Sequence, residues 1–579
     1  MEDQRTDHFR RIAGYVEQFG SLASTDTVLE TLKFAAALKN SGPDSAEIIS
    51  KTISTLELQP ILDKIVGSVE TGGLSFEEMK RVSIAVEMVG NPSILFCDEP
   101  TSGLDARAAL FVMRGLANIA KSGCTVICTI HQPSRAIFEM FDALLLMKRG
   151  GEVVFFGDLG EHSSHLVRHL ESVPGTPKCP ELYNPATWML EVIGAGVGGG
   201  SGVDVSEYVR AYKTGELGEK NAIDVAEMCQ SPIGAAPVVS STSTYSTSFW
   251  VQFVQLHARF TREFWRTPSY SFVRWVFALM LPLLLGTMIP KLDLTTSADV
   301  QSLGLCINFV PQFMAIYNLN AVVPFFYAHD AFFYREKGSG MYDPRAFVLA
   351  ITVADLPFVF VQALLCSNAL YWIVGLDPTP WVYFYYVFMI YFFILIFTYL
   401  GSLVSALAPN AASGQALAII PNLIWALFNG IAPQAQNIPD YLIWLYYMSP
   451  YKWLLEGLYT TQLQNPDSTL GKEVIQTTLP PVGAVSMTAA QYALGSQGGL
   501  NAPNVTCLQV SPLCAPCEAS ASGCTTLETL SWQGGLWGDP DRGMNYEWKW
   551  YDMTYLVLFM LLLLALHCRA IVTFTHEKR

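Results

Sequence analysis

The sequence predicts an α/β domain followed by an all-α membrane domain of six helical spans, and three observations carry that prediction. A strand-forming run, Ile94 to Cys97, ends on two adjacent acids, Asp98 and Glu99. A second β-branched run, Thr125 to Ile130, ends on His131, and helix-patterned stretches flank both runs. Beyond residue 270 apolar residues dominate, so that the whole chain is 51% hydrophobic and only 15% charged, with a mean hydropathy of +0.31. At 579 residues there is room for two or more domains. The net charge of −15 excludes nucleic acid as the main partner, because phosphate backbones need a basic surface.

Residues 11–20 read as a strand ending at Gln18. Thr25 to Asn40, with Leu29, Leu32, Phe34, Ala35 and Leu38 as an apolar stripe, opens a helical subdomain that continues through 48–62. Residues 73–81 lead into a helix whose Val82, Ala85, Val86 and Val89 are spaced for one buried face. Ile94–Cys97 is a parallel strand, and α/β folds place ligands at the carboxyl ends of such strands. Two acids there are costly without cations, which a Mg²⁺-nucleotide supplies: Asp98 suits the metal, and Glu99 suits a water attacking the γ-phosphate. His131, at the end of the neighbouring strand, can reach the same phosphate. Residues 144–147 and 152–156 flank a Gly-containing turn and read as a hairpin. Stretches 193–203 and 230–247 are rich in Gly, Ser and Thr and read as linkers. Phe249–Arg266 is amphipathic, and its Arg259, Arg262 and Arg266 suit a helix lying on a membrane surface.

Runs of about 20 apolar residues place spans near 269–290, 301–327, 346–375, 381–406, 413–432 and 550–573. The N-terminus is polar and charged, so the first domain is expected in the cytosol, with Cys97, Cys124, Cys128, Cys179 and Cys229 as reduced thiols. Counting from there puts 328–345 inside, with Arg335, Lys337 and Arg345, and 433–549 outside, where basic residues are few. The outer segment holds Cys507, Cys514, Cys517 and Cys524, hence two expected disulfides with three possible pairings, and a glycosylation sequon at Asn504. Both termini are expected in the cytosol, with the plasma membrane as the location. Asp355 falls within span three, where a carboxylate is costly enough to demand a partner.

Asn91-Pro92-Ser93, the Asp-Glu-Pro-Thr-Ser-Gly-Leu-Asp-Ala-Arg run at 98–107, Thr129-Ile130-His131-Gln132-Pro133-Ser134 and Asn184-Pro185-Ala186-Thr187-Trp188 together resemble an ABC transporter. The last of these motifs narrows the resemblance to the C-terminal half of a full-size transporter of the G subfamily, of the pleiotropic-drug-resistance type. The fold this implies is an α/β P-loop-NTPase-like ABC domain followed by a six-helix transmembrane domain of the ABC-2, or type V exporter, kind. The implied layout is a partial nucleotide-binding domain at 1–192, a linker at 193–247, a connecting helix with spans one to five at 248–432, an extracellular loop at 433–549, and span six with a tail at 550–579.

The resemblance implies ATP and Mg²⁺ as cofactors, with Glu99 as catalytic base, His131 as γ-phosphate sensor, Asp98 and Gln18 on the metal, Asp105 as a contact across a dimer interface and Ser75 as a donor to the opposite nucleotide. Arg335 and Glu336, in Tyr334-Arg335-Glu336-Lys337, match the family's coupling segment. Asn308, Phe309, Gln312, Asn422, Phe428 and Asn429, on spans two and five, fall where the family builds its translocation cavity, and Phe313 joins them. No ionic pair is evident there, so neutral or amphipathic compounds are favoured. The implied partners are the front half of the same transporter or another ABC half, the lipid bilayer and lipophilic small molecules. Two departures stand against that pattern. No G-x-x-x-x-G-K-[ST] run occurs, which makes the front of the domain the missing part; the reading is either part of a longer chain or a half that does not hydrolyse ATP alone. The signature reads Leu74-Ser75-Phe76-Glu77-Glu78, with a ring and a carboxylate where glycines let phosphate approach.

Overall fold

The computed structural model describes residues 7–18, 20–40, 42, 44–68, 72–194, 204–230, 245–288, 297–431, 438–463, 507–509, 524–526 and 549–573. The chain divides into two compact units, one of residues 1–255 with 332–343, the other of 256–331 with 344–579.

The first unit opens with α1 (Asp7–Ile12), β1 (Ala13–Val16), α2 (Val28–Lys39) and α3 (Ser45–Thr55), followed by a two-strand ribbon of β2 (Gly67–Ser68) and β3 (Gly72–Gly73). Helix α4 (Phe76–Met88), β4 (Ile94–Cys97), α5 (Ala106–Lys121), β5 (Thr125–Cys128) and α6 (Arg135–Phe138) complete the part that carries the acids. The three parallel strands lie in the order β1-β4-β5, with Val16, Cys97 and Cys128 in one register row. Alternation puts Gly14, Val16, Leu95 and Cys97 on the buried face, while Tyr15 and Ile127 stand exposed on the other. The expected face of α4 is fully buried at Val82, Ala85, Val86 and Val89. Thr27 and Ser75 start α2 and α4 with capping boxes, closed by Glu30 and Glu78.

The hairpin of β6 (Ala143–Met147) and β7 (Val153–Asp158) packs with α7 (Ser164–Glu171) and α8 (Pro185–Val192) around Phe138, Phe155, Leu170 and Trp188. Tyr208 and Val209 of α9 (Val205–Thr214) join that core, and α10 (Glu216–Gln230) follows. The region read as linker therefore contains two helices. Its Gly- and Ser-rich composition marks only residues at its ends, which lie outside the described residues.

Helix α11 spans Phe249–Arg266, the bounds expected. Arg259 does not lie on a membrane surface, however: it is 2% exposed beside Phe260 and Phe264 in the buried stripe, and Glu263 pairs with His329 at 3.0 Å. The expected spans fall on α12 (Ser271–Met288), α13 (Ser297–Gly338), α14 (Pro344–Val374), α15 (Pro380–Leu407), α16 (Ala411–Leu427) and the last helix, Lys549–Thr573. Among the described residues five helices are long and apolar enough to cross a membrane, and the 17-residue α16 is the short one. Helix α13 continues through the expected inner loop to Gly338, because charged side chains end a hydropathy run without ending a helix. A Schellman motif stops it: Met341 N–H donates to Glu336 O and Gly340 N–H to Lys337 O, with Gly340 at φ +67°.

Helix α15 is the centre of the membrane unit, with Met389, Phe393, Ile394, Ile396 and Phe397 sealed from solvent. The segment read as an outer loop holds α17 (Ile443–Met448) and α18 (Pro450–Leu463). Helix α18 packs into the core through Tyr451, Leu454, Leu458 and Tyr459. The chain ends with α19 (Lys549–Thr573), after a parallel pair β8 (Cys507–Gln509) and β9 (Cys524–Thr526) in which Cys507 is opposite Cys524. Asn504, Cys514 and Cys517 lie outside the described residues. Asp355 has the partner its position demanded: Arg274 lies 3.2 Å away, both are about 2% exposed, and Arg274 also donates to Asn318.

Candidate nucleotide-binding site

The sheet delivers its acids as the parallel ladder dictates. Asp98 N–H donates to Val16 O and Thr129 N–H to Cys97 O, so the three chains leave the sheet side by side at their carboxyl ends. The Gln18 amide donates to Glu99 Oε2 at 2.6 Å and to Ser102 Oγ at 3.4 Å. His131 Nε2 stands 3.0 Å from Glu99 Oε1 with its side chain 84% exposed. Glu99 and Gln132 both adopt positive φ, 41° and 43°, a backbone conformation that costs energy for non-glycine residues and clusters at functional sites.

Gln18, Asp98, Glu99 and His131 thus come together at one end of the sheet. Ser75 and Asp105 serve as helix caps: Ser75 Oγ accepts from Glu78 N–H, and Asp105 Oδ1 from Ala108 N–H at 2.8 Å. Phe76, beside Ser75, is 60% exposed.

Three further residues complete the cluster. Thr129 Oγ1 donates to Asp98 Oδ1 at 2.7 Å and accepts from Glu99 N–H at 2.9 Å, so one hydroxyl ties both acids to the neighbouring strand. Tyr15 donates to Asp98 Oδ2 at 3.1 Å; partial desolvation and then the adjacent carboxylate push its phenol pKa up. Lys80, 4% exposed on α4, donates to the Gln18 carbonyl, and burial lowers its pKa against the opposing pull of Cys97, Asp98 and Glu99. Thr129 was visible as a hydroxyl beside His131 in the motif. Tyr15 and Lys80 gave no signal of their own, since they reach the site through the sheet register and the α4 packing.

Carboxylate oxygens and a glutamine amide are hard oxygen donors of the kind Mg²⁺ takes. The metal side therefore fits, through Asp98 and Gln18. The phosphate cradle of an ATP site has no counterpart among these residues.

In the first unit, residues 332–343 carry the coupling candidates. Glu336 accepts from Tyr342 OH at 2.6 Å, Arg335 lies 3.8 Å from Glu336, and Lys337, Ser339 and Gly340 line a cleft with Arg11, Lys39 and Glu87. In the membrane unit Asn429 donates to Asn308 at 3.2 Å, while Asn422 is engaged by Tyr451 at 2.8 Å. Phe309 and Phe313 are exposed on one face of α13, Gln312 is half-buried, and Phe428 packs apart from them in a small cluster with Ile438 and Tyr446.

A sheet ending in paired acids, joined in sequence to apolar spanning helices, defines an ABC transporter chain, and comparison with known proteins agrees. Residues 1–102 match the ABC transporter family and residues 251–463 the ABC-2 type transporter family. The chain belongs to the G family of ABC transporters. It is 37% identical over 505 residues to ABC transporter G family member 35 of Arabidopsis thaliana, covering 86% of this chain and 34% of that protein. It is 38% identical over 460 residues to G family member 41 of the same plant, covering 78% and 33%. To pleiotropic drug resistance protein 1 of Nicotiana tabacum it is 36% identical over 467 residues, covering 79% and 32%. The chain spans about a third of the length of these relatives. It is an integral membrane protein of a transport ATPase family.

Proposed function

We propose that this chain is half of an ATP-driven exporter of lipophilic or amphipathic compounds, working with a second ABC half. The observation that carries the reading is the convergence of Gln18, Asp98, Glu99 and His131 at one end of a parallel sheet. Asp98 and Gln18 would hold Mg²⁺, which neutralises charge on the transferring phosphate when bound. Glu99, held by Gln18 and His131, accepts the proton of the attacking water, and the exposed imidazole of His131 steadies the γ-phosphate. Arg335 and Glu336, in the buried end of α13, pass movement to the spans. The Asn308–Asn429 contact and the exposed Phe309 and Phe313 offer hydrogen bonds and ring faces to a neutral ligand, beside Gln312, Asn422 and Phe428. The plasma membrane, cytosolic termini, glycosylation at Asn504 and disulfides among Cys507, Cys514, Cys517 and Cys524 belong to the same reading.

A second reading, a catalytically silent partner or regulator of another transporter, draws on one observation: the Ser75 hydroxyl is occupied as a helix cap next to exposed Phe76. Co-expression with a P-loop-bearing ABC half in vesicles, with ATP-dependent export of a lipophilic dye as readout, separates the two. Export that is abolished by Glu99→Gln supports the exporter; export untouched by Glu99→Gln supports the silent partner; no export above either half alone refutes the first reading.

A further inference from the structure

Cys97 ends β4 and Cys128 ends β5, and they are direct register partners in adjacent parallel strands. Partners in a parallel ladder point to the same face, and neighbouring strands are about 4.8 Å apart. That separation falls inside the roughly 4.4–6.8 Å that a disulfide allows between Cα atoms. Both are free thiols. Cys97 is sealed at 2% exposure, whereas Cys128, on the outer of the three strands among the described residues, is half-buried and the more accessible of the two.

We propose that Cys97 and Cys128 are a reversible oxidation site, which forms a disulfide with a peroxide and tethers the two strand ends one residue before Asp98 and Thr129. The chemistry balances with hydrogen peroxide as oxidant. Cys128 sulfur attacks one peroxide oxygen, the O–O bond breaks, and Cys128 sulfenic acid and one water result. Cys97 sulfur then attacks the sulfenic sulfur; the S–O bond breaks, the departing hydroxide takes the Cys97 proton as a second water, and the S–S bond forms. Two thiols lose two electrons and two protons, and one peroxide becomes two waters. A dithiol reverses the step by exchange. Transient disulfides of this kind are the sort that reducing compartments tolerate. The inference is independent of ATP chemistry.

The test is a thiol map of the detergent-solubilised full chain after dilute hydrogen peroxide, alkylation of remaining thiols under denaturing conditions, and peptide mass spectrometry. The expected result is loss of alkylation at both Cys97 and Cys128, with their peptides joined and two hydrogens lighter than the sum, and recovery with dithiothreitol. Alkylation at both positions, joining of Cys128 to Cys124, or oxidised Cys128 beside alkylated Cys97 overturns the proposal. Cys97→Ser is expected to stop at the sulfenic acid, captured by dimedone on Cys128, and absence of dimedone label there counts against the order of steps. The wild-type map stands whether or not that variant folds.

Discussion

Replacing Thr129 by Val removes a hydroxyl and keeps the side-chain shape, which isolates the bond that ties the acid pair to β5. Two hydrogen bonds are lost, one to the Asp98 carboxylate at 2.7 Å and one from the Glu99 amide at 2.9 Å. A bond to a charged acceptor contributes about 1.5–3 kcal/mol and a neutral one about 0.5–1.5 kcal/mol when protected from water. Thr129 is exposed, so water replaces part of both, and roughly 1–2 kcal/mol of local stability remains at stake. That corresponds to a factor of about 5–30 in the opening equilibrium. Hydrogen exchange on the full chain reads it directly, because the Glu99 amide is one of the two groups bonded. Thr129→Val is expected to speed exchange at Glu99 about tenfold while leaving Leu95 in mid-strand unchanged, and Thr129→Ser is expected to restore protection. An unchanged rate at Glu99 in Thr129→Val, or equal loss in the Ser variant, would refute the claim that this hydroxyl positions the acids.

Ser75→Ala removes the α4 cap and is expected to cost about 1 kcal/mol, seen as faster exchange at Glu78 and Met79. His169, packed on Phe155 and bonded to the Val154 carbonyl, has its pKa lowered by burial, so the unfolded chain binds its proton more tightly. Its contribution is therefore present above about pH 6.5 and lost as pH falls below that toward the folded value, and His169→Gln should flatten that dependence in thermal unfolding. Arg274→Met alone strands buried Asp355 and is expected to cost about 3–5 kcal/mol, whereas Arg274→Met with Asp355→Leu should recover most of it, measured as detergent-solubilised thermal stability. Leu458→Ala, at a sealed position of α18, is expected to cost about 2–5 kcal/mol by the same measurement; a surface loop residue would cost almost nothing.

What the sequence made legible was local and periodic. The α4 face, the hairpin, the amphipathic α11 and the strand ending in Asp98-Glu99 all follow from spacing within a dozen residues. Partnerships set by register were not legible: Tyr15 reaches Asp98 and Lys80 reaches Gln18 across more than sixty positions. Helix α18 was hidden for another reason. Its Lys452, Glu456, Thr460, Thr461 and Gln462 break a hydropathy run, yet each is satisfied inside the fold. Lys452 pairs with Glu456 one turn on, Thr460 and Thr461 donate to carbonyls of the preceding turn, and Gln462 accepts from Asp377 N–H and donates to Tyr371 OH. Arg259 misled in the opposite sense, since a basic residue on an amphipathic helix reads as surface whether it meets lipid phosphate or a buried carboxylate.

The same dependence on register explains how the acid end of the sheet is ordered by the protein's own residues. Each acid is held by groups from the two neighbouring strands and their ends: Asp98 by Tyr15 and Thr129, Glu99 by Gln18, His131 and the Thr129 hydroxyl. All of these partners are carried on β1, on β5 and on the residues that leave their ends, so the positioning of the acids depends on the sheet register. A metal arriving at Asp98 would meet a carboxylate already oriented by two donors, and reorganisation on binding would be small. That is the physical reason to expect Glu99→Gln, which leaves the Gln18 and His131 contacts able to form, to act on turnover and not on assembly.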